Sequence, residues 1–337
     1  MILVTGGTGL VGSHLLRRLV ERGEQVRATY RSESSKKNTL KVFGYVHDEP
    51  EDWMNRIEWV QTDLFDTVDL DEVMDGVKVV FHCAAVVSFQ PSDKDLMLQG
   101  NPKMTRLLVN AAIAAGVKDF IHVSSVAAIG RAKEGELTNE NTEWKDSPLI
   151  SVYSKSKFAA ETEVWRGAEE GLNVGFVNPS IILGPGNWDS GSSKLFHTFY
   201  KGFRFYTAGR TGFVDVEDVV ESMLRVWERK AFSKRFILSS ENIKYKQLFD
   251  WITEAYGTKA PDILPPRWVM EVLWRVEWLR SKLTGSAPLV TKETARTARS
   301  ETRFDNSRAK DELGMEFMPV KESVQKNCKL YLRDLEG

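Results

Sequence analysis

"TGGTGLVGSH", residues 5–14, stands almost at the start of the chain, and its glycines can be counted in two overlapping registers. From Gly7 they read G-x-G-x-x-G, and from Gly6 they read G-x-x-G-x-x-G. In either register the stretch follows a short apolar run, "MILVT". It leads into "SHLLRRLVERG", whose Leu15, Leu16, Leu19 and Val20 recur at helical spacing until Gly23. "QVRATY" reads as a second strand. A strand, glycine turn, helix and strand in close succession require a right-handed crossover and a parallel sheet. Amides at such a turn, from Gly6 and Thr8 to the first helical residues Leu10 and Val11, form an anion site. A pyrophosphate drawn that close leaves no room for a Cβ at the glycines. A tight strand-to-helix turn uses the same residues, but the flanking strand and helix favour a dinucleotide.

Working outward, strands are predicted at "IEWVQTDL" near 57, "KVVFHCAA" near 78, "DFIHVSS" near 119, "LNVGFVNPS" near 172 and "KRFILSS" near 234. Helices are predicted near 69–75 and 101–116, and the polar "RSESSKKN" reads as a mobile loop. The expected fold class is α/β: a doubly wound, Rossmann-type parallel sheet of about seven strands with a smaller, discontinuous lobe. Residues 1–179 and 214–245 are assigned to the NADP-binding domain, and 180–213 and 246–337 to the substrate lobe. A chain of 337 residues has room for both.

Composition narrows the class of function. A net charge of -1 gives no electrostatic reason to expect nucleic acid or an anionic membrane as partner. Cys83 and Cys328 lie far apart without metal-type spacing, so no metal is expected and a reduced cytoplasm fits. No apolar run reaches the ~18 to 20 residues that span a bilayer, and "MILVT" lacks the features of a signal peptide.

The ribose is read at the end of the second strand, where "VRATYRSESSKK" offers Arg31 and no acid until Glu33. A guanidinium matches a 2′-phosphate bidentately, which favours NADP over NAD, unless Arg31 is only a solvated loop charge. Asp63, followed by Leu64, ends the third strand, where its carboxylate would accept from an adenine amino group or cap a turn. Cys83, Ala84 and Ala85 are small, as close passage of backbone to a nucleotide requires, although simple packing asks the same.

"SVYSKSKF" places Tyr153 and Lys157 four residues apart on one helical face. A phenol of pKa ~10 is a poor base at neutral pH. A cation ~6 Å away at an effective dielectric of ~20 would favour phenolate by roughly 2.8 kcal/mol, about two pKa units. Tyr153 would then exchange a proton with a carbonyl or alcohol oxygen. Ser124 and Ser125 in "HVSSVAAIG" lie at the sheet edge where ligands bind, and one of them would donate to the same oxygen.

As a set, "TGGTGLVG", "TDL", "HCAA", "HVSS", "YSKSK" and "NPSIILGPG" resemble the extended short-chain dehydrogenase/reductase superfamily over residues 1 to about 240, and "FDNSRAKDELGMEFMP" resembles its closing motif. The resemblance implies the register Gly6, Gly9, Gly12. It implies Ser125 as catalytic serine with Ser124 its neighbour, Tyr153 as acid/base, Lys157 holding the nicotinamide ribose, and Asn101 supporting a water-linked proton path. Pro179, Ile181 and Ile182 match the segment beside the nicotinamide carboxamide, and a homodimer through the helix of Tyr153 and the helix before the fifth strand is implied. Nucleotide-sugar epimerases and dehydratases of this superfamily usually carry an Arg-Asp pair where this chain has Thr211 and Gly212. "VRATYR" and "GFVDVEDVV" instead resemble the dihydroflavonol-reductase and 3β-hydroxysteroid-dehydrogenase branch.

The leading expectation is an NADP-dependent oxidoreductase acting on a carbonyl or secondary alcohol of an apolar small molecule. A sugar-nucleotide epimerase or dehydratase comes second, and a dinucleotide-sensing protein without turnover third. Ser88, Phe89, Phe196 and Phe213 are candidate substrate contacts, core packing being the alternative for Phe196 and Phe213. The Trp-rich stretch 267–283 reads as a lid, an interfacial helix or core.

Overall fold

The computed structural model describes residues 1–88, 93–133, 135–147, 150–266 and 300–336, and between 266 and 300 only residues 268, 269, 272, 274–276 and 280. In chain order the first half runs β1 (Ile2–Thr5), α1 (Leu10–Glu21), β2 (Val26–Tyr30), α2 (Lys36–Gly44), α3 (Pro50–Met54), β3 (Ile57–Gln61), α4 (Thr67–Val73), β4 (Val79–His82), α5 (Asn101–Ala114) and β5 (Asp119–Val123). Then come α6 (Val152–Glu169), β6 (Asn173–Pro179), β7 (Ile181–Leu183), α7 (Lys194–Tyr200), β8 (Arg210–Asp215), α8 (Val216–Glu228), β9 (Lys234–Leu238), β10 (Glu241–Lys244) and α9 (Tyr245–Tyr256). Ser307–Leu313 forms α10 and Val320–Glu336 forms α11.

Every residue of β1 is buried, as a central parallel strand covered on both faces must be. Its side chains alternate between faces: Ile2 and Val4 join Leu15, Leu16 and Leu19 of α1 in one apolar cluster, while Leu3 joins Val80 and Phe120 in another. Strand β2 pairs parallel on one side of β1, Ile2 opposite Val26, and β4 on the other, Ile2 opposite Val79. The sheet order is β3-β2-β1-β4-β5-β6-β9, the expected seven strands, all parallel. The direction of winding reverses between β1 and β4, and a crevice opens there beyond the carboxyl ends of the strands.

Contrary to the sequence expectation, "RSESSKKN" is not a loop. It forms one 3-10 turn (Glu33–Ser35) and the start of α2. Its last residue and the next serve the glycine turn: Asn38 Nδ2 donates to the carbonyl of Thr8 (3.0 Å) and Thr39 Oγ1 to that of Gly7 (3.2 Å).

Strands β7, β8 and β10 make a second, three-stranded sheet, β8 parallel to β7 and antiparallel to β10. With α7, α9 and α11 they enclose a separate core around Leu183, Phe196, Phe213, Leu248 and Tyr331. Helix α11 also reaches α2: Asp334 accepts from Tyr45 Oη (2.5 Å) and Trp188 Nε1 (2.6 Å), and pairs with Lys41 (2.6 Å). The Trp-rich stretch lies largely outside the described residues; of its described members, Trp268, Val272 and Val276 are exposed. Among the described residues no helix is long and apolar enough to cross a membrane.

Helices α1 and α8 meet along a seam of opposite charges. His14 Nδ1 lies 2.6 Å and Arg17 2.7 Å from Glu217, and Arg18 lies 2.7 Å from Glu221. Burial pushes the Glu217 carboxyl up, but the His14 hydrogen bond and the charges of His14 and Arg17 outweigh it and hold the group at about 2. A carboxyl held below its unfolded value stabilises the fold above that value, and the contribution disappears as pH falls through the folded one. We expect Glu217→Gln to cost on the order of 2 kcal/mol at neutral pH. In urea unfolding the gap between wild type and variant should narrow steadily from pH 5 downward; a gap independent of pH would show that packing alone is lost.

Candidate active site at the carboxyl edge of the sheet

The glycine turn is decided by steric contacts that sequence cannot show. Gly6 has φ +69°, and a Cβ there would lie 2.6 Å from the Ala84 nitrogen and 2.9 Å from the Cys83 carbonyl carbon. At Gly12 a Cβ would lie 2.1 Å from the Gly6 carbonyl oxygen, and at Gly9 3.3 Å from the same atom. Gly7 is different in kind, since its nearest obstacle is the end of the Leu16 side chain. Gly6, Gly9 and Gly12 therefore lie on one tight backbone approach. Gly9 precedes α1 without a side chain to cap it, and the first turn carries no acid. The amides of Leu10 and Val11 open the helix with the positive end of its dipole, a cradle that fits a diphosphate.

Around that cradle the predicted cofactor residues sit at the ends of β1 to β4 and β6. Thr8 is half-buried beside Asn38, and Arg31 is exposed just past β2. Asp63 Oδ1 accepts from the Phe65 amide (3.0 Å), so that oxygen closes its own turn. Leu64 packs against the core. Cys83, Ala84 and Ala85 are half-buried at the exit of β4, and burial pushes the Cys83 thiol up to about 12, which keeps it neutral. Pro179 closes β6, and Ile181 and Ile182 open β7, half-buried.

Deeper in the crevice, α6 lies across the ends of β5 and β6. Tyr153 is hydrogen-bonded to the side chain of Ser125, whose Oγ also accepts from the Ala127 amide (3.1 Å). Lys157 is buried and donates to the Val123 carbonyl (2.8 Å). Burial brings its ammonium down to about 8, with Glu161 and Cys83 acting against the fall. Burial raises Tyr153 above the ordinary phenol value, opposed by the Ser125 hydrogen bond, and the Lys157 ammonium that shares its helical face donates to a strand carbonyl.

Asn101 is also committed. Its Oδ1 accepts from the Val86 amide (2.7 Å), and its Nδ2 donates to the Val86 carbonyl and to Ser156 Oγ (both 2.9 Å). It pins the segment after β4 to α6, one residue from Lys157. Ser124 is buried and donates to Glu161.

The substrate candidates separate. Ser88 is half-buried and donates to Asp93 (2.6 Å). Phe89 lies outside the described residues. Phe196 and Phe213 are fully buried in the second core, edge-on to Trp188 and Tyr245, so packing accounts for both. Sequence reasoning missed Glu161, Asn178 and Arg235, which form one buried cluster behind Ser124. The available signal was Glu161 itself, an acid one further turn along the Tyr153–Lys157 face. Among the described residues no group of His, Cys, Asp or Glu could hold a metal ion.

Comparison with known proteins identifies the family and the fold. The model of the NAD dependent epimerase/dehydratase family matches residues 2–237. The chain is 32% identical to a "Putative dihydroflavonol 4-reductase" of Synechocystis, over 95% of this chain and 91% of that one. It is 30% identical to sterol demethylase protein B of Methylococcus capsulatus, over 93% and 92%. Among solved structures, that of gox2253 superposes with a TM-score of 0.81 at 29% identity, covering 99% of this chain and 98% of that one. Gre2 of Candida albicans in complex with NADPH shares the fold at a TM-score of 0.75 and 20% identity, over 98% of each chain.

Because a methyl at residue 12 would meet backbone and one at residue 7 only the Leu16 and Ala28 side chains, the two glycines are unequal. Gly12→Ala should cost about 2 kcal/mol or more. Thermal unfolding should show a clearly smaller loss for Gly7→Ala; equal losses would mean that the turn does not depend on the Gly6–Gly12 approach.

Proposed function

The chain belongs to the NAD dependent epimerase/dehydratase family, and we propose that within it this protein is an NADP-dependent oxidoreductase. It reduces a ketone or aldehyde, or oxidises a secondary alcohol, on an apolar small molecule. The observation that carries this reading is the Tyr153–Ser125 hydrogen bond at the carboxyl edge of the sheet, with Lys157 buried one turn along the same helix.

The dinucleotide, when bound, supplies or accepts the hydride. Gly6, Thr8, Gly9, Leu10, Val11 and Gly12 hold its diphosphate, Arg31 takes the 2′-phosphate, and Asp63 and Leu64 lie on the adenine side. Cys83, Ala84 and Ala85 leave room for the sugar, and Pro179, Ile181 and Ile182 present backbone to the nicotinamide. Ser125 donates to the substrate oxygen and fixes its place beside Tyr153 Oη, which delivers or removes the proton at that oxygen. Lys157 holds the ribose, and Asn101 keeps α6 and the β4 exit in register, with the water-linked proton path from Lys157 running past it. Residues 1–179 with 214–245 act as the nucleotide domain and the remainder as the substrate lobe, in a cytoplasmic homodimer.

Two features support an apolar substrate over a nucleotide sugar. Thr211 stands where nucleotide-sugar enzymes of the superfamily usually carry the phosphate-gripping Arg, and at residue 212, in place of their Asp, a Cβ would lie 2.2 Å from Ser239 Oγ and 2.9 Å from the Phe304 ring, so the Gly is built into the packing. The two full-length relatives above are named for a dihydroflavonol and a sterol.

Tyr153→Phe, folded and still binding NADPH, should lose at least about 100-fold in kcat on a ketone and aldehyde panel, the lower end of what a proton-transfer group contributes. Near-normal turnover would end the proposal. Arg31→Ala should raise KM for NADPH about tenfold, a charge-assisted phosphate contact, and leave KM for NADH nearly unchanged. Retention of tightly bound cofactor without net NADPH consumption would point to epimerase chemistry.

A further inference from the structure

Glu161 is a carboxylate with no exposed surface, set between the active-site Lys157 and the Arg235 guanidinium among otherwise neutral groups. Four donors converge on it. Ser124 Oγ and Asn178 Nδ2 (2.9 Å) donate to Oε2, and Arg235 Nε and Trp165 Nε1 (3.3 Å) donate to Oε1. It lies one helical turn beyond Lys157, as Lys157 lies one turn beyond Tyr153, so the three share a face of α6.

This arrangement grips three successive residues of the β5 exit. Lys157 holds the Val123 carbonyl (2.8 Å), Glu161 holds the Ser124 hydroxyl, and Asn178, itself bonded to Glu161, holds the Ser125 carbonyl (3.1 Å). The segment that carries Ser125 is therefore fixed by a network centred on one buried anion. A buried anion is costly unless it is paired, and Arg235, on β9 and three-quarters buried, pairs with it.

We propose that Glu161 is a positioning residue for the Ser125, Tyr153 and Lys157 group, a buried, Arg235-paired carboxylate one helical turn from the Lys157 ammonium that sets the strand exit carrying Ser125. The inference rests on the oxidoreductase reading above. The groups facing Lys157 are Tyr153 and Glu161 on α6, His82 and Cys83 at the end of β4, and His122 on β5. The histidines are driven well below their ordinary range by burial and the thiol well above its own, so all three are uncharged at neutral pH. Among the described residues, Glu161 is then the carboxylate set against the burial of Lys157, and Arg235, paired with Glu161, tempers it.

The sign of the effect follows. With Glu161→Gln the side chain keeps its shape and loses its charge, so Lys157 gives up its proton at lower pH. The alkaline limb of kcat/KM for carbonyl reduction should move down by about one pH unit, the size of a partly offset charge at one helical turn. With Arg235→Met the carboxylate keeps its charge without its partner, and the limb should stay or move up. Glu161→Asp should restore the wild-type limb more fully than Glu161→Gln.

An independent reading is the titration of Lys157 by NMR of 13C,15N-labelled lysine side chains, assigned with Lys157→Met. It needs no turnover and should show the same downward move in Glu161→Gln. If Glu161→Gln lowers the rate equally at every pH and leaves the lysine titration in place, Glu161 is only structural and the inference falls. If Glu161→Gln does not fold, movement of the limb to lower pH in Arg235→Met overturns it. If instead Tyr153→Phe retains turnover, the oxidoreductase reading fails, while the NMR titration still decides whether Glu161 sets the charge of Lys157.

Discussion

The backbone of Gly6 runs so close to that of Cys83 and Ala84 that no side chain fits between them, and the rest of the crevice is built around this contact. It joins the exits of β1 and β4, the two strands between which the winding of the sheet reverses. Gly12 must approach the same turn from the helix side, and Asn38 and Thr39 hold its carbonyls from α2. The free amides at the start of α1 are thus aimed by contacts on three sides. Their direction does not depend on the flexibility usually associated with glycine.

The lower half of the crevice has the opposite character. Its key groups are polar and buried, and each is held by several partners: Asn101 by Val86 and Ser156, Glu161 by four donors, Ser125 by a helix-capping bond and Tyr153. Buried polar groups of this kind are tolerable only when satisfied together. The consequence is rigidity where a proton and a hydride would have to be exchanged over short distances. The second core and its three-stranded sheet pack beside this rigid floor and contribute little to its polar groups.

Much of this was legible in the sequence. The glycine pattern, the short apolar strand segments and the helical leucines predict about seven parallel strands because each signal is local, and the sheet adopts seven. Tyr153, Lys157 and Ser125 stand in recognisable order, and the fold brings them to one edge. What escaped reading depends on contacts across long chain separations. "RSESSKKN" reads as a loop because its helix is anchored by the glycine turn, thirty residues earlier. Phe196 and Phe213 are equally apolar whether they line a pocket or fill a core, and only the closing of the second sheet assigns them to the core. Glu161 is an unremarkable helical acid until β6 and β9 bring Asn178 and Arg235 to it.

The contact of Asp334 with Lys41, Tyr45 and Trp188 bears on how the molecule is assembled. Residue 334 clamps the far end of α2, the helix that holds the glycine turn at its near end. On a ribosome the glycine turn emerges well before α11, while domains otherwise tend to fold as they appear. The clamp on the far end of α2 is therefore added only after the turn that α2 holds at its near end has been made.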